Sequence, residues 1–234
     1  MIEAFITNLG KYNDGELRGD WLTLPATSED LQKLFAKIGV DGVVYEEFFI
    51  TDYDTEVGGL RDCFGEYESI DELNYLAELL SELNDSDLKK FEAAVELGDD
   101  AGSVKALINL SQNLNCYDFF PDISNATDLG YCLIDDYGML EIPDHISNYF
   151  DYAAYGRDYA MNEGGSFTDG GYITRSYGRS IEHYDGREDI PEEYRIFSYP
   201  EPEKMNMQER MAMYGNMVTS SDISDKDAIA HNDR

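Results

Sequence analysis

Basic side chains are scarce in this chain. Its 234 residues hold 17 Lys and Arg against 49 Asp and Glu, a formal net charge of −32. A surface of that sign repels nucleic acid and anionic lipid and attracts cations or basic protein clefts. Cysteine is sparse as well. Cys63, Cys116 and Cys132 lie far apart with no C-x-x-C pair, so neither a disulfide framework nor a zinc site is indicated, and reduced thiols suit the pattern. Histidine is limited to His145, His183 and His231, no two at a helical metal spacing. No apolar run approaches the roughly 18 residues a membrane helix requires. The opening MIEAFITNLG lacks the basic stretch and apolar core of a secretory signal. A soluble, cytoplasmic protein is expected.

Catalytic signatures are missing too. The glycine-rich stretch GGSFTDGGYITRSYG contains no G-x-x-x-x-G-K-[ST], and no G-x-S-x-G occurs. DYDTEVGG resembles a calcium loop only superficially, because its glycine arrives one position late and Cys63 stands where a bidentate glutamate belongs. Pairs of carboxylates are too abundant to mark glycosidase chemistry. No enzyme activity, cofactor or metal is expected.

What is present is order. Hydrophobic residues make up 42% and aromatics 13%, which excludes a wholly disordered chain. The patterning predicts an α+β protein of three small domains with a C-terminal extension. Residues 1–62 read as strand, turn, an apolar stretch around WLTLP, helix and strand. IEAFITNL is a strand, Asn13-Asp14-Gly15 a turn, and a helix starts at Thr27 with Asp30 completing a capping box. Leu31, Leu34, Phe35 and Ile38 share one face of that helix, and Gly39 ends it. A second strand is expected over YEEFFITDYDTE, residues 45–56. Residues 63–112 switch to a helical period: Ser69 and Glu72 suggest a capping box before Leu73, Leu76, Leu80 and Leu83. Leu88, Phe91 and Val95, then Val104, Leu107 and Ile108, mark two further helices. Residues 113–184 are mixed. CYDFF reads as a strand, Asn125 as a cap for a helix through Leu129, Cys132 and Leu133, and GGSF to YITR as a hairpin. Pro143 opens a helix with Ile146, Tyr149 and Phe150 expected to face inward. Residues 185–234 read as linker and extension, partly disordered, with Met207, Arg210, Met211 and Tyr214 on one face of a short helix.

The acids are unevenly spread. Residues 41–100 hold nineteen acids against Arg61, Lys89 and Lys90. A helix that needed only solubility would mix in lysine. A solvated acidic face is the plain explanation; imitation of DNA is the sharper one. Duplex DNA carries about one charge per 1.7 Å of axis, so the −26 of residues 1–184 matches roughly 44 Å, or about 13 base pairs. An ordered backbone would hold such carboxylates in place without the entropy loss of a floppy tail.

Three stretches carry a resemblance. TNLGKYNDGELRGDWLTLP (residues 7–25), YEEFFITDYD (45–54) and SNYFDYAAYGRD (147–158) resemble, in order, segments of the ArdA antirestriction family. The resemblance implies an elongated, curved dimer that imitates bent B-DNA and occupies the DNA-binding groove of type I restriction–modification enzymes. It implies carriage on mobile genetic elements and evasion of host defence. The partner-facing carboxylates are then expected among Glu46, Glu47, Asp52, Asp54, Glu56, Glu66 and Glu68. Further along they would include Asp71, Glu72, Glu78, Glu82, Asp85, Asp87, Glu92, Asp118, Asp122, Asp135 and Asp136. The family's dimer contact maps onto Tyr149, Phe150, Tyr152, Tyr155 and Arg157, although Tyr152 and Tyr155 serve equally well as core residues. The chain departs from the family in GGLRDCFGEY and in about fifty residues beyond the matched region. An acidic adaptor that recruits another protein through the extension is the alternative.

Overall fold

β-Branched and aromatic residues dominate the start of the chain, and the computed structural model, which describes residues 1–98, 100–176 and 178–200, forms a strand there. This strand, β1 (Ile2–Asn8), is the centre of a three-stranded antiparallel sheet between β2 (Gly19–Leu24) and β3 (Phe48–Thr55). Between β1 and β2 lies a helix that periodicity is too short to reveal, α1 (Leu9–Asn13). Asn8 caps it by accepting a hydrogen bond from the Lys11 N–H. α2 (Ser28–Ile38) forms as its signals require. Thr27 and Asp30 make the reciprocal cap, Leu31, Leu34, Phe35 and Ile38 are buried, and Gly39 ends the helix at φ +80°.

β3 begins three residues later than the sequence suggested. Asp41 is the reason: its carboxylate accepts the N–H groups of Val43, Val44 and Tyr45 at 2.9, 2.8 and 3.0 Å. That turn carries Glu46 and Glu47 outside the ladder. The β1–β3 pairing shifts between Phe5 and Ile6, leaving Thr51 without an opposite residue.

Three helices follow: α3 (Ile70–Ser81), α4 (Asp85–Leu97) and α5 (Val104–Ser111). Leu73, Leu76, Leu80, Phe91, Val95, Val104, Leu107 and Ile108 are buried. Leu83 lies past the end of α3 and, like Leu88, is half-buried. The expected box at α3 is only half made. Ser69 accepts from the Glu72 N–H, but the Glu72 carboxylate turns away to Tyr184 and Arg187.

A second antiparallel sheet has the order β4 (Tyr117–Pro121), β6 (Gly171–Arg175), β5 (Ser166–Thr168). Asn125 caps α6 (Ala126–Tyr131), which runs on into a π-helical turn over Cys132–Asp136. α7 (Asp144–Ser147) has four residues, too few to bury a face. Ile146 and Tyr149 are therefore exposed rather than inward, Tyr149 by 88%. Phe150 is half-buried against Tyr152 and Tyr155. α8 (Tyr152–Glu163) crosses α6 at very close range. A Cβ on Gly130 would meet the Tyr152 carbonyl oxygen at 2.0 Å, and one on Gly156 would meet that of Ala126 at 2.0 Å.

One apolar cluster runs from Ile2, Ile6 and Phe35 through Leu73, Phe91 and Leu107 to Tyr117 and Ile173. A smaller one gathers Phe120, Leu129, Leu133 and Tyr172, with Tyr155 and Tyr159 packed against it. Residues 185–199, expected to begin the linker and extension, belong to the same compact unit as the residues before them. Tyr184, Ile190 and Ile196 are buried in the larger cluster, and the compact unit runs to Tyr199. The face proposed for Met207, Arg210, Met211 and Tyr214 lies outside the described residues.

Candidate functional site

The register of the first sheet aligns carboxylates on its solvent face. Asp52 and Asp54 alternate with the buried Tyr53, so both point outward, and Asp54 stands directly opposite Glu3. Like charges in facing positions destabilise a sheet. Glu56 follows the strand, exposed. Glu3 escaped the sequence reading, although its place between Ile2 and Ala4 in an alternating strand marks it as outward-facing. Its carboxylate accepts the Thr23 hydroxyl at 2.7 Å. Asp52 is paired with Arg61 at 2.5 Å.

Near the other end of β3, Glu46, Glu47 and Glu66 are exposed, while Glu68 accepts the Gly65 N–H at 3.0 Å. Three rings sit beside them. Tyr12 meets Phe49 edge-on at 5.3 Å and Tyr67 stacks on Phe49 at 6.4 Å, with Tyr67 itself largely exposed.

On the helices the expected acids divide into two groups. Glu78, Glu82 and Asp85 reach solvent to varying degrees and make no ion pair among the described residues. The others serve the fold. Asp71 accepts the Ile196 and Phe197 N–H groups at 2.7 and 2.8 Å. Glu72 accepts the Tyr184 hydroxyl at 2.8 Å and pairs with Arg187 at 3.0 Å. Asp87 accepts from the capping Asn84, and Glu92 from the Gly58 N–H. In the last part of the chain Asp118, Asp122, Asp135 and Asp136 are all exposed, with the Tyr152 hydroxyl 3.5 Å from Asp135.

Among the described residues most bases that form an ion pair do so outside this set. Lys11 and Arg18 pair with Glu16, Lys33 with Glu29, Lys37 with Asp20, Lys105 with Glu182 and Asp185, and Arg175 with Asp100. The Lys37 ammonium holds the Asp20 carboxyl below its ordinary range. Among the described residues, only Asp52 and Glu72 of the eighteen expected acids have a basic partner. Most of these acids thus have no basic partner among the described residues.

Of the five residues mapped to a dimer contact, Tyr149 and Arg157 are exposed. Tyr155 packs on its own core with Leu129 and Leu133. Tyr152 stacks on Tyr131 at 4.0 Å and touches Phe150. Tyr131, Tyr137, Met139, Leu140 and Ile146 are exposed as well.

Among the described residues, no group of three or more His, Cys, Asp or Glu is placed to hold a metal ion, and no helix is long and apolar enough to cross a membrane.

Comparison with curated proteins gives no match. The family model described as "Antirestriction protein (ArdA)" matches residues 4–174. That span covers both sheets except for the first two residues of β1 and the last of β6, together with α1–α8 and all three stretches that carry the resemblance. With well over half of its length matched, the chain belongs to the ArdA antirestriction family.

Proposed function

We propose that this antirestriction protein acts as a DNA mimic, entering the DNA-binding groove of a type I restriction–modification enzyme and denying DNA access. The observation that carries the reading is the partition of charge: among the described residues most paired bases take acids outside the expected set, and of that set only Asp52 and Glu72 have a basic partner. A Lys/Arg-lined groove steers such a surface toward itself and accelerates encounter. Carboxylates offer no base edges, so competition runs through the enzyme's phosphate contacts rather than through sequence readout. On this reading three small units, residues 1–62, 63–112 and 113–184, present one continuous array, and the protein works in the cytoplasm. Two copies join through the region of Tyr149 and Arg157. The exposure of Tyr149 supports that contact; sedimentation of Tyr149→Ser at the parent's dimer mass would argue against it.

The decisive experiment is competition between this protein and labelled DNA for a type I methyltransferase core. Glu47→Gln alone should be nearly silent, because each contact is one of many. Neutralising Glu46, Glu47, Asp54 and Glu56 together should weaken inhibition progressively. Raising salt from about 50 to 200 mM should cost at least about tenfold in apparent affinity, through screening and counterion exchange. A salt-independent inhibition constant, or abolition by one charge change, would defeat the distributed-array mechanism.

A further inference from the structure

Residues 181–197 lie along α3 and α5 as extended chain interrupted by two 3-10 turns, Arg187–Asp189 and Glu192–Tyr194. They pair with no strand. Their main chain is held mostly by side-chain amides and a carboxylate instead, joined by the Lys105 ammonium on the Asp185 carbonyl at 2.7 Å and the Ser28 hydroxyl on the Ile196 carbonyl at 2.9 Å. Asn113 accepts the Ile181 N–H at 2.9 Å and donates to the Ile181 carbonyl at 2.8 Å. Four residues earlier, one helical turn along, Asn109 accepts the His183 and Tyr184 N–H groups at 2.8 and 3.0 Å. It donates to the Tyr184 carbonyl at 2.7 Å. On α3, Asn74 donates to the Tyr194 carbonyl at 3.1 Å, and Asp71 accepts the Ile196 and Phe197 N–H groups.

Between these contacts three side chains enter the core: Tyr184, Ile190 and Ile196, each six residues from the next. With the segment in place Asn74 and Asn113 are themselves buried, so these hydrogen bonds are made away from water. The residues that hold the segment all lie within positions 4–174, matched by the family model, whereas the held segment lies wholly beyond them.

We propose that α3 and α5 form a peptide-binding groove that reads main-chain amides, and that residues 181–197 are its ligand, bound in cis. An asparagine that both accepts from and donates to one backbone treats the peptide as a neighbouring strand would, without regard to side chains. Selectivity then comes from the sockets, which take an aromatic residue followed by two β-branched ones at six-residue intervals. The groove occupies Asp71 and Glu72, two of the acids otherwise available to the charged surface. This inference stands independently of the antirestriction mechanism.

The test begins with the full chain carrying a protease site at the exposed Gly178–Ser180. After cleavage the segment should stay bound, and a fluorescent peptide of residues 178–199 should exchange into its place. N-methylating the His183 and Tyr184 amides removes both donors accepted by Asn109 and should weaken the peptide about tenfold. Tyr184→Ala in the peptide should weaken it comparably by emptying one socket. Equal binding of methylated and unmethylated peptides would overturn the proposal, as would failure of the peptide to exchange into a folded, nicked protein. If nicking unfolds the chain, amide exchange on the intact protein decides. The amides of Ile181, His183, Tyr184, Ile196 and Phe197 opening together while α3 and α5 stay protected supports a separable ligand. Their opening only with global unfolding refutes it.

Discussion

The crossing of α6 and α8 allows one perturbation to be worked through. Gly156 lies within SNYFDYAAYGRD, and a Cβ there would sit 2.0 Å from the Ala126 carbonyl oxygen and 2.7 Å from the Gly130 nitrogen. Ordinary contact begins near 3.4 Å, so the two helices must part by about 1.4 Å to admit one methyl group. In an exposed helix Gly→Ala is stabilising by about 1 kcal/mol. Here the overpacking cost of roughly 1–3 kcal/mol, joined by lost dispersion along the crossing, outweighs that gain. Gly156→Ala should therefore destabilise by about 2 kcal/mol, and Gly130→Ala, which meets the Tyr152 carbonyl at 2.0 Å, by a similar amount. Once the helices have separated the second methyl costs little, so the double variant should fall well short of the sum. Urea unfolding followed by far-ultraviolet circular dichroism measures all four species. The single tryptophan, Trp21 on β2, reports separately on the first sheet and shows whether that sheet unfolds in the same step. A Gly156→Ala protein with a raised midpoint, or strict additivity in the cycle, would refute the close-crossing argument.

Three further outcomes are expected. Thr27→Ala removes the acceptor for the Asp30 N–H and the hydroxyl that donates to Asp30, and should cost about 1 kcal/mol in chemical denaturation. The Thr27 hydroxyl and N–H also hold the Asp30 carboxyl below its usual range; at Asp41 burial opposes the shift, but three loop N–H bonds outweigh it. Both contribute stability above the unfolded carboxylate range that is lost as pH falls through their depressed folded values. The denaturation midpoint should hold at pH 5 and drop below about pH 4; an unchanged midpoint at pH 3 would remove these caps from the account. A chain ending at Glu182 should melt at least about 5 °C below one ending at Tyr199, since it loses the buried Tyr184, Ile190 and Ile196. Equal melting would show that the segment adds nothing to the fold.

The sequence announced an element wherever a local signal and burial agreed. α2 is the clearest case, with cap, stripe and terminating glycine all realised. Reading failed where a single side chain redirected the backbone. Asp41 winds the chain before Phe48, so a run rich in strand formers loses Tyr45, Glu46 and Glu47 from the ladder. It failed again at Ile146 and Tyr149, because a helical stripe buries nothing when its helix has four residues. The segment over residues 181–197 was illegible for a different reason: a peptide gripped through its amides displays no hydrophobic period. Its trace was on the other side of the contact, in Asn109 and Asn113 one turn apart beside an apolar face. Charge density was plain in the composition, but which carboxylates would be occupied by backbone donors was not. Asp71 and Glu72 looked identical in kind to Glu78 and Glu82 until the chain folded back onto them.

The facing pair of Glu3 and Asp54 has a consequence for crowded solutions. β3 forms one margin of its sheet, and such margins invite a neighbouring molecule to add a strand and begin an insoluble stack. Here an approaching copy would bring its own Asp54 and Glu56 against the same residues, and electrostatic repulsion would turn it away. The acids that weaken the sheet internally thus keep it from growing outward, and variants neutralised along β3 should precipitate at concentrations the parent tolerates.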